Sequence, residues 1–582
     1  MTISPRERPV EPAAARALLY RMNQRFRFAL LVALATGWFA GGCKTAPPAG
    51  DRVTVAGGKQ VSAVVVSAEK AASAHAHYAA GVSFELNEQT DAALQEFRQA
   101  VHDDPDDETL VLEVSRRFLL NKQPAKALEI LELAAARPAA TGEVFARFGA
   151  VLAGLGKTND AIAANRTAIK KSPASLAGYQ NLFYFSLKNK QTDEALKILD
   201  EAGKAAGTDA EFLIGLADMY RNYALQFPTQ REAINPRAAS ILERAEALKP
   251  KKPQTRLRLA DGLHALGRTE KAAQLYLGLL SQVDDLPLVR EAVRARLADI
   301  YLRGNDSKLA REQLEAIVRD DPANAQAYFF LGSLAYDEKK WTEAVDYFKK
   351  TILFSPNFEP GYYDLAAAQL AANKAEDAGE TLRGARKKFP PKFLCEYLLA
   401  MVSQRLKNYA DAITHFTSAE VLAKAGAEKN LTASFYFEAG IAHERKGDRE
   451  EAVKYFQKAL ELQPDFPEAQ NYLGYMWAER GENLDRAQEL IAKALKAEPK
   501  SAAYLDSMGW VLFKQNQPQA ALEYILKAVE LNGEPDATLY DHLGDIYASL
   551  NEPAKARAAW QKSLGVEPNE LVKKKLAAPK TP

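Results

Sequence analysis

Apolar and polar positions along residues 325–358 follow the pattern of two short amphipathic helices. A Leu-Gly pair at Gly332 lies in the first apolar stretch, and the second opens at Ala344 and carries Phe348 four residues later. Pro356 closes the unit, because proline cannot continue a helix. Two backbones approach closely only where side chains are small. We therefore expect Gly332 and Ala344 where the two helices meet, and large residues such as Phe348 in the seam against the next unit.

The same pattern recurs along most of the chain. Ala310, Ala344 and Ala378 are each 34 residues apart, and such a period fits two helices of about 12 to 14 residues with short turns. One hairpin cannot bury both of its faces, so neighbouring hairpins must stack. We count about fourteen units, whose second helices begin at or near Ala93, Ala127, Ala161, Ala195, Ala238, Ala272, Ala310, Ala344, Ala378, Ala412, Ala452, Ala487, Ala521 and Ala556.

Two spacings depart from the period. An insertion is expected between Pro228 and Pro236, and the 40 residues from Ala412 to Ala452 predict a longer helix or loop near residues 425–430. After the last unit, residues 569–582 predict a solvated capping helix and tail.

These offsets resemble the tetratricopeptide repeat (TPR), in which Leu-Gly, Tyr, Ala, Phe and Pro recur in this order. The resemblance implies an all-α fold, a right-handed α-solenoid of about fourteen TPR helix hairpins over residues 67–568. HEAT and armadillo repeats have longer periods.

The first 43 residues predict an export signal. Arg25 and Arg27 precede a short apolar run, residues 28–40, and small residues lead to Cys43. The run is too short to span a bilayer. Met22 is a better start for such a signal than Met1, and the sequence leaves this choice open.

The end of the signal resembles the lipobox of bacterial lipoproteins, although Ala40 stands where Leu is commoner. The resemblance implies lipidation at Cys43, and the alternative is an ordinary signal peptide with an incidental Cys. Lys44 replaces the Asp that favours inner-membrane retention in such families. We therefore expect a lipid anchor in the outer membrane and a protein that faces the periplasm. Residues 44–66 predict a flexible tether, within which residues 61–66 fit either a strand or the start of a helix.

Composition narrows the function further. The 76 basic and 75 acidic residues among 582 nearly cancel, which gives no electrostatic reason to expect nucleic acid. Two Cys exclude a disulfide framework, and Cys395 sits in an apolar run typical of a buried side chain. The sequence lacks the common metal, nucleotide and hydrolase motifs, and the repeats leave no room for a catalytic domain. We expect a protein without enzymatic activity, cofactor or metal.

Because no catalytic or metal motif is present, binding is the function that the sequence leaves open. In a TPR, the positions three before, one after and four after the mid-helix Gly face the inner groove. Charged residues there include Glu444 and Lys514, but not the Lys, Asn and Arg set that clamps a peptide carboxylate. Most of these positions are apolar or aromatic, which predicts a groove for an extended or helical peptide, although packing against neighbouring units is an equally good interpretation of any one of them. The candidate protein-binding residues are Phe329, Tyr336, Tyr363, Tyr397, Met401, Phe437, Ile441, Tyr475, Trp510 and Phe513.

The lipobox, the length and the many repeats together resemble the TPR lipoproteins that partner carboxyl-terminal processing proteases. That resemblance implies an adaptor that brings a periplasmic protease and its cell-wall hydrolase substrates together, by effective concentration rather than by chemistry. A TPR lipoprotein that supports secretion, pilus or exopolysaccharide export assembly is the alternative. A TPR-fused enzyme would need a non-repetitive block, and none remains.

Overall fold

The computed structural model describes residues 58–426 and 428–577, with side chains from residue 68. Within these residues the protein contains 29 α-helices and two short 3-10 helices, and no strand. Two compact units divide the chain at Gln313 and Leu314.

The helices of the first unit alternate as first and second members of hairpins. They are α1 Gly58–Leu86, α2 Thr90–Asp103, α3 Glu108–Leu120, α4 Pro124–Ala135, α5 Gly142–Gly154, α6 Thr158–Lys171, α7 Ala177–Lys188, α8 Thr192–Gly203, α9 Ala210–Gln226, α10 Arg231–Ala247, α11 Pro253–Ala265, α12 Thr269–Leu280 and α13 Pro287–Arg303.

Helix α14, Ser307–Asp320, crosses the boundary between the units. The second unit continues with α15 Ala325–Asp337, α16 Trp341–Phe354, α17 Glu359–Ala371, α18 Ala375–Lys388, α19 Phe393–Arg405, α20 Tyr409–Lys424, α21 Ala433–Lys446, α22 Arg449–Leu462, α23 Pro467–Arg480, α24 Leu484–Ala497, α25 Ala502–Lys514, α26 Pro518–Leu531, α27 Ala537–Ser549, α28 Pro553–Val566 and α29 Glu570–Ala577.

In each unit, consecutive helices pack as antiparallel hairpins, and each hairpin packs on the next through neighbouring helices. The order of helices gives fourteen pairs followed by the single helix α29, so the predicted all-α repeat architecture is confirmed. All fourteen predicted alanines lie in second helices and are at most 2% exposed.

The predicted reason for the small residues also holds. A Cβ atom added at Gly332 would lie 2.7 Å from Phe348 Cε1, and one at Gly440 would lie 2.7 Å from Phe456 Cε1. The aromatic side chain of the second helix therefore fills the space that the mid-helix glycine leaves open. Phe348 and Phe456 are both almost fully buried, so each of the two contacts lies in the core of its own hairpin.

Both irregular spacings have a structural counterpart. The insertion lengthens α9 and α10 to 17 residues each, with a 3-10 turn, Pro228–Gln230, between them and Pro236 inside α10. The second irregularity lengthens α20 to 16 residues and adds a 3-10 turn, Glu428–Asn430.

The N-terminal boundary differs from the sequence prediction. Helix α1 begins at Gly58, so residues 58–66 are helical where the composition predicted part of a flexible tether. The apolar run 61–66 continues directly into the amphipathic first helix, and this continuity resolves its strand-or-helix ambiguity in favour of a helix. Residues 1–57, which include the predicted signal and Cys43, lie outside the described residues.

Candidate protein-binding surface

All ten predicted binding residues lie on first helices of the second unit, from α15 to α25. We call the side of these helices that carries the three predicted positions the first-helix surface. The structure divides the ten residues into two groups by burial. Five are buried, namely Phe329, Tyr336, Tyr363, Tyr397 and Trp510, and five are half-buried, namely Met401, Phe437, Ile441, Tyr475 and Phe513.

The buried group mainly fills the core. Phe329 packs on Phe348 and Phe358, with ring centroids 5.8 and 5.0 Å apart. Tyr397 is 3% exposed and packs on Phe416 and Phe435. Aromatic side chains this deep offer little apolar area to a ligand.

The half-buried group keeps part of its apolar area at the surface. Phe437 is partly exposed and also contributes to the core, because its ring packs on Phe456 and Tyr472 with centroids 5.6 and 5.9 Å apart. The apolar part of the first-helix surface is therefore narrower than the sequence pattern predicted. Each first helix from α19 to α25 carries at least one of the half-buried residues.

A buried histidine joins the last repeats. His542 on α27 is 1% exposed, its Nδ1 lies 2.9 Å from Asp506 Oδ1, and its ring stacks on Trp510 with centroids 3.9 Å apart. Burial opposes protonation of His542, but the charge and hydrogen bond of Asp506 and the charges of Glu479 and Asp541 together outweigh it, and the pKa of His542 lies above its ordinary value. Sequence reasoning found Trp510 but missed His542, which sits two residues before Gly544 and outside the groove positions.

The acidic side chains of α27 hold the terminal helix. Lys575 Nζ on α29 lies 2.8 Å from Asp541 Oδ1 and 2.6 Å from Asp545 Oδ2. These ion pairs fasten α29 onto the end of the repeats, where the sequence predicted a capping helix. They also occupy both carboxylates of α27.

A second feature that sequence reasoning missed lies between α19 and α21. Glu438 is 4% exposed, and among the described residues its carboxylate accepts one hydrogen bond, a long one of 3.5 Å from Gln404 Nε2. Gln404 Nε2 also donates to the backbone oxygen of Glu438 at 3.2 Å, whereas Gln404 Oε1 is buried and has no hydrogen-bond partner in the part of the chain that the structure describes. The signal available in the sequence was an acidic residue two positions before a mid-helix glycine, on a helix face that packs against its neighbour.

Reactive chemistry is sparse in the described part of the chain. Cys395 is 2% exposed, as predicted for a small buried side chain, and burial raises the pKa of its thiol to about 11. Residues 58–426 and 428–577 contain no group of three His, Cys, Asp or Glu side chains arranged to hold a metal ion. None of the described helices has the length and hydropathy of a membrane span.

Stacked helix hairpins with small residues at each contact and an apolar first-helix surface define a helical-repeat protein. Family models named Tetratricopeptide repeat match residues 295–357, 437–502, 480–532 and 507–565, and a second such model matches residues 394–465. Residues 295–357 and 394–565 are thus tetratricopeptide repeats.

Similar proteins match parts of the chain. The TPR repeat-containing protein PA4667 of Pseudomonas aeruginosa is 30% identical over 220 residues, which cover 38% of this chain and 36% of that protein. The type IV pilus assembly protein PilF of the same organism is 26% identical over 136 residues, 23% of this chain and 54% of PilF. The chain thus spans about a third and about half the length of these two relatives.

Solved structures with similar helices include the APC/C hetero-tetramer Cut9-Hcn1, with a TM-score of 0.37 and 16% identity over 79% of this chain and 94% of that chain. A MamA protein aligns with a TM-score of 0.27 and 24% identity over 30% of this chain and 92% of its own.

Proposed function

We propose that this protein is a scaffold, anchored in the outer membrane through a lipid on Cys43 and facing the periplasm, that binds other proteins on its first-helix surface. The observation that carries the binding function is the half-buried apolar group on consecutive first helices of a TPR protein. Such a surface offers anchor positions for an apolar peptide or helix. The lipobox-like end of the signal and Lys44 support the anchor and its membrane.

Within this proposal, the scaffold presents substrates to a periplasmic processing protease. The resemblance to TPR lipoproteins that partner such proteases supports this function, with cell-wall hydrolases as the expected substrates. Binding a protease and its substrate on one chain raises their effective concentration without any new catalytic group. The expected signature is accumulation of specific envelope proteins when the gene is deleted. A deletion proteome in which no envelope protein accumulates would argue against the adaptor function.

Support of pilus, secretion or exopolysaccharide export assembly is the second candidate, and the similarity to a type IV pilus assembly protein favours it. This function predicts a stable complex with envelope assembly components and no change in envelope proteolysis. Neighbouring genes offer a quick distinction, because a processing protease gene favours the first candidate and an assembly operon favours the second.

The binding surface is tested by changing only its half-buried residues. Replacing Met401 and Phe513 together with Ser removes two apolar anchors, neither of which is a fully buried side chain. The matched control replaces Val421 and Leu353, which are 63% and 68% exposed on second helices. Proteins retained by the detergent-extracted wild-type chain, measured by quantitative mass spectrometry, are expected to be lost with the first variant and kept with the control. Equal retention by both variants would exclude this surface.

Anchoring is tested separately. Cys43→Ser removes the only thiol in the signal region and is expected to release the protein from the membrane fraction. Unchanged fractionation would argue against lipidation while leaving the binding surface intact.

A further inference from the structure

One position of the first helices links neighbouring repeats by charge. It lies two residues before the small mid-helix residue and packs against the preceding first helix. In three hairpins this position holds a base that pairs with an aspartate of the preceding first helix. The pairs are Arg258 with Asp218 at 3.0 Å, Arg296 Nη2 with Asp261 Oδ2 at 3.1 Å, and His542 with Asp506 at 2.9 Å.

Helix α21 carries an acid at this position instead of a base. Its residue at this position, two before Gly440, is Glu438, and no Lys, Arg or His of the described residues forms an ion pair with it. Its nearest hydrogen-bonding partner, Gln404, stands on α19, the preceding first helix. Gln404 Oε1 is itself a buried acceptor to which no residue within 58–426 and 428–577 donates. The contact between α19 and α21 thus has two acceptor groups, and no cation among the described residues pairs with either of them.

An isolated carboxylate in this setting is energetically costly, because burial removes water without replacing its hydrogen bonds. Burial raises the pKa of Glu438 to about 7, and the nearby charge of Arg405 only partly offsets this effect. A carboxyl group with this pKa is partly ionised near neutral pH. An added cation would give α19 and α21 the kind of ion pair that joins α9 with α11, α11 with α13 and α25 with α27.

The surroundings fit a long basic side chain. Met401, Phe437 and Ile441 are half-buried on the same two helices, and their apolar surface suits the methylene stem of such a side chain. Glu444, one further acid on α21, is 16% exposed at the side-chain level and already pairs with Arg445. A guanidinium has five donors in a planar fork, enough for both the carboxylate of Glu438 and the free amide oxygen of Gln404.

We propose that the contact between α19 and α21 is a binding site for an arginine side chain of a partner protein, received by Glu438 and Gln404. This inference rests on the proposed binding function and specifies the chemistry of the bound segment. The partner's arginine pairs with an acid on a first helix, as Arg258 and Arg296 do within the chain. Lysine satisfies the same charge with fewer directed donors and binds more weakly.

A display library of random peptides, selected on the full wild-type chain and on Glu438→Gln, tests the site. The substitution keeps the shape of the side chain and removes its charge. Peptides selected on the wild type are expected to be enriched in arginine at one position next to apolar residues, and this enrichment is expected to disappear on Glu438→Gln. Glu461→Gln, at an exposed position on the second helix of the same hairpin, is the matched control and should select the same peptides as the wild type.

The best selected peptide is then compared with its citrulline form, which has nearly the same shape but no charge. Citrulline should bind the wild type and Glu461→Gln at least about tenfold more weakly than arginine, and Glu438→Gln about equally. Binders without arginine that bind Glu438→Gln as tightly as the wild type would overturn this site and leave the proposed function standing. Failure to select any peptide on the wild-type chain would contradict the proposed function and this site together.

Discussion

Glu438 shows at the scale of one residue how a binding group weakens the fold that carries it. The folded-state pKa of about 7 lies above the ordinary value of 4.5. Below pH 4.5 the carboxyl is neutral in both states, and its contribution to stability is fully present. As the pH rises through 7, the carboxyl ionises in the unfolded state before it ionises in the folded state. This favours the unfolded state, so the stability is lost.

Glu438→Gln is therefore expected to leave stability unchanged below pH 4.5 and to raise it above pH 7 by about 3 kcal/mol. Amide hydrogen exchange in α21 measures this locally, which suits a repeat chain that does not unfold in one step. Equal protection of the variant and the wild type above pH 7 would contradict the assigned burial cost. Glu461→Gln controls for the general loss of one negative charge.

His542 gives the opposite case, a buried base that keeps its partner. Asp506→Asn should lower the pKa of His542. Burial still acts against protonation, and only the charges of Glu479 and Asp541 remain to oppose it. The stability that Asp506 adds is fully present below pH 6.5 and is lost as the pH rises through the raised folded-state value. Nuclear magnetic resonance titration of the imidazole measures the shift. Asp485→Asn, an exposed change on α24, should leave the titration unchanged, and a similar response to both substitutions would count against the Asp506 contact.

At the scale of helices, the mid-helix glycines determine how closely the two helices of a hairpin can pack. Gly440→Ala brings a methyl group to 2.7 and 2.9 Å from Phe456 ring atoms, and overpacking of this kind costs about 1 to 3 kcal/mol. Gly384 lies in α18 with nothing within 4 Å of an added Cβ, so Gly384→Ala should instead stabilise by about 0.5 to 1 kcal/mol. Thermal melts of both variants compare them directly. Stabilisation by both would mean that Phe456 moves aside freely.

The hairpins were predictable because their constraints are local in sequence. The small residue, the aromatic four positions later and the closing proline each act within one period, and these features located the fourteen second helices. The turns inside the hairpins were less predictable. Lys339, Asn373 and Lys407 adopt left-handed backbone angles near 60°, and Lys is not a residue whose presence predicts that conformation.

The binding surface was less predictable, because burial depends on the neighbouring repeats. Tyr397 and Met401 are both at groove positions of α19, yet the first is enclosed by Phe416 and Phe435 and the second stays half-buried. The sequence pattern fixes the helix face but not the size of the side chain that the next helix places against it. Glu438 was missed for the same reason, since its isolation depends on what α19 provides.

At the scale of the whole chain, contacts within each unit are mostly between neighbouring helices. Stability in such an arrangement is close to a sum of hairpin terms and nearest-neighbour terms. A clash in one hairpin should therefore loosen that hairpin and the adjacent ones without unfolding distant repeats. Gly149 and Gly509 allow this to be tested in each unit, because an added Cβ would lie 2.3 Å from Asn165 Nδ2 or 2.5 Å from Ile525 Cγ1.

Gly149→Ala is expected to speed amide exchange in α3–α8 and to leave α15–α28 unchanged, whereas Gly509→Ala should affect α23–α28 and spare α1–α12. Hydrogen exchange followed by mass spectrometry resolves these segments in one experiment. Each variant is the control for the other, since both add one methyl group at equivalent positions. Uniformly faster exchange along the chain in either variant would mean that the repeats unfold together. Local loosening would instead allow one group of repeats to adapt to a partner while the others keep their structure.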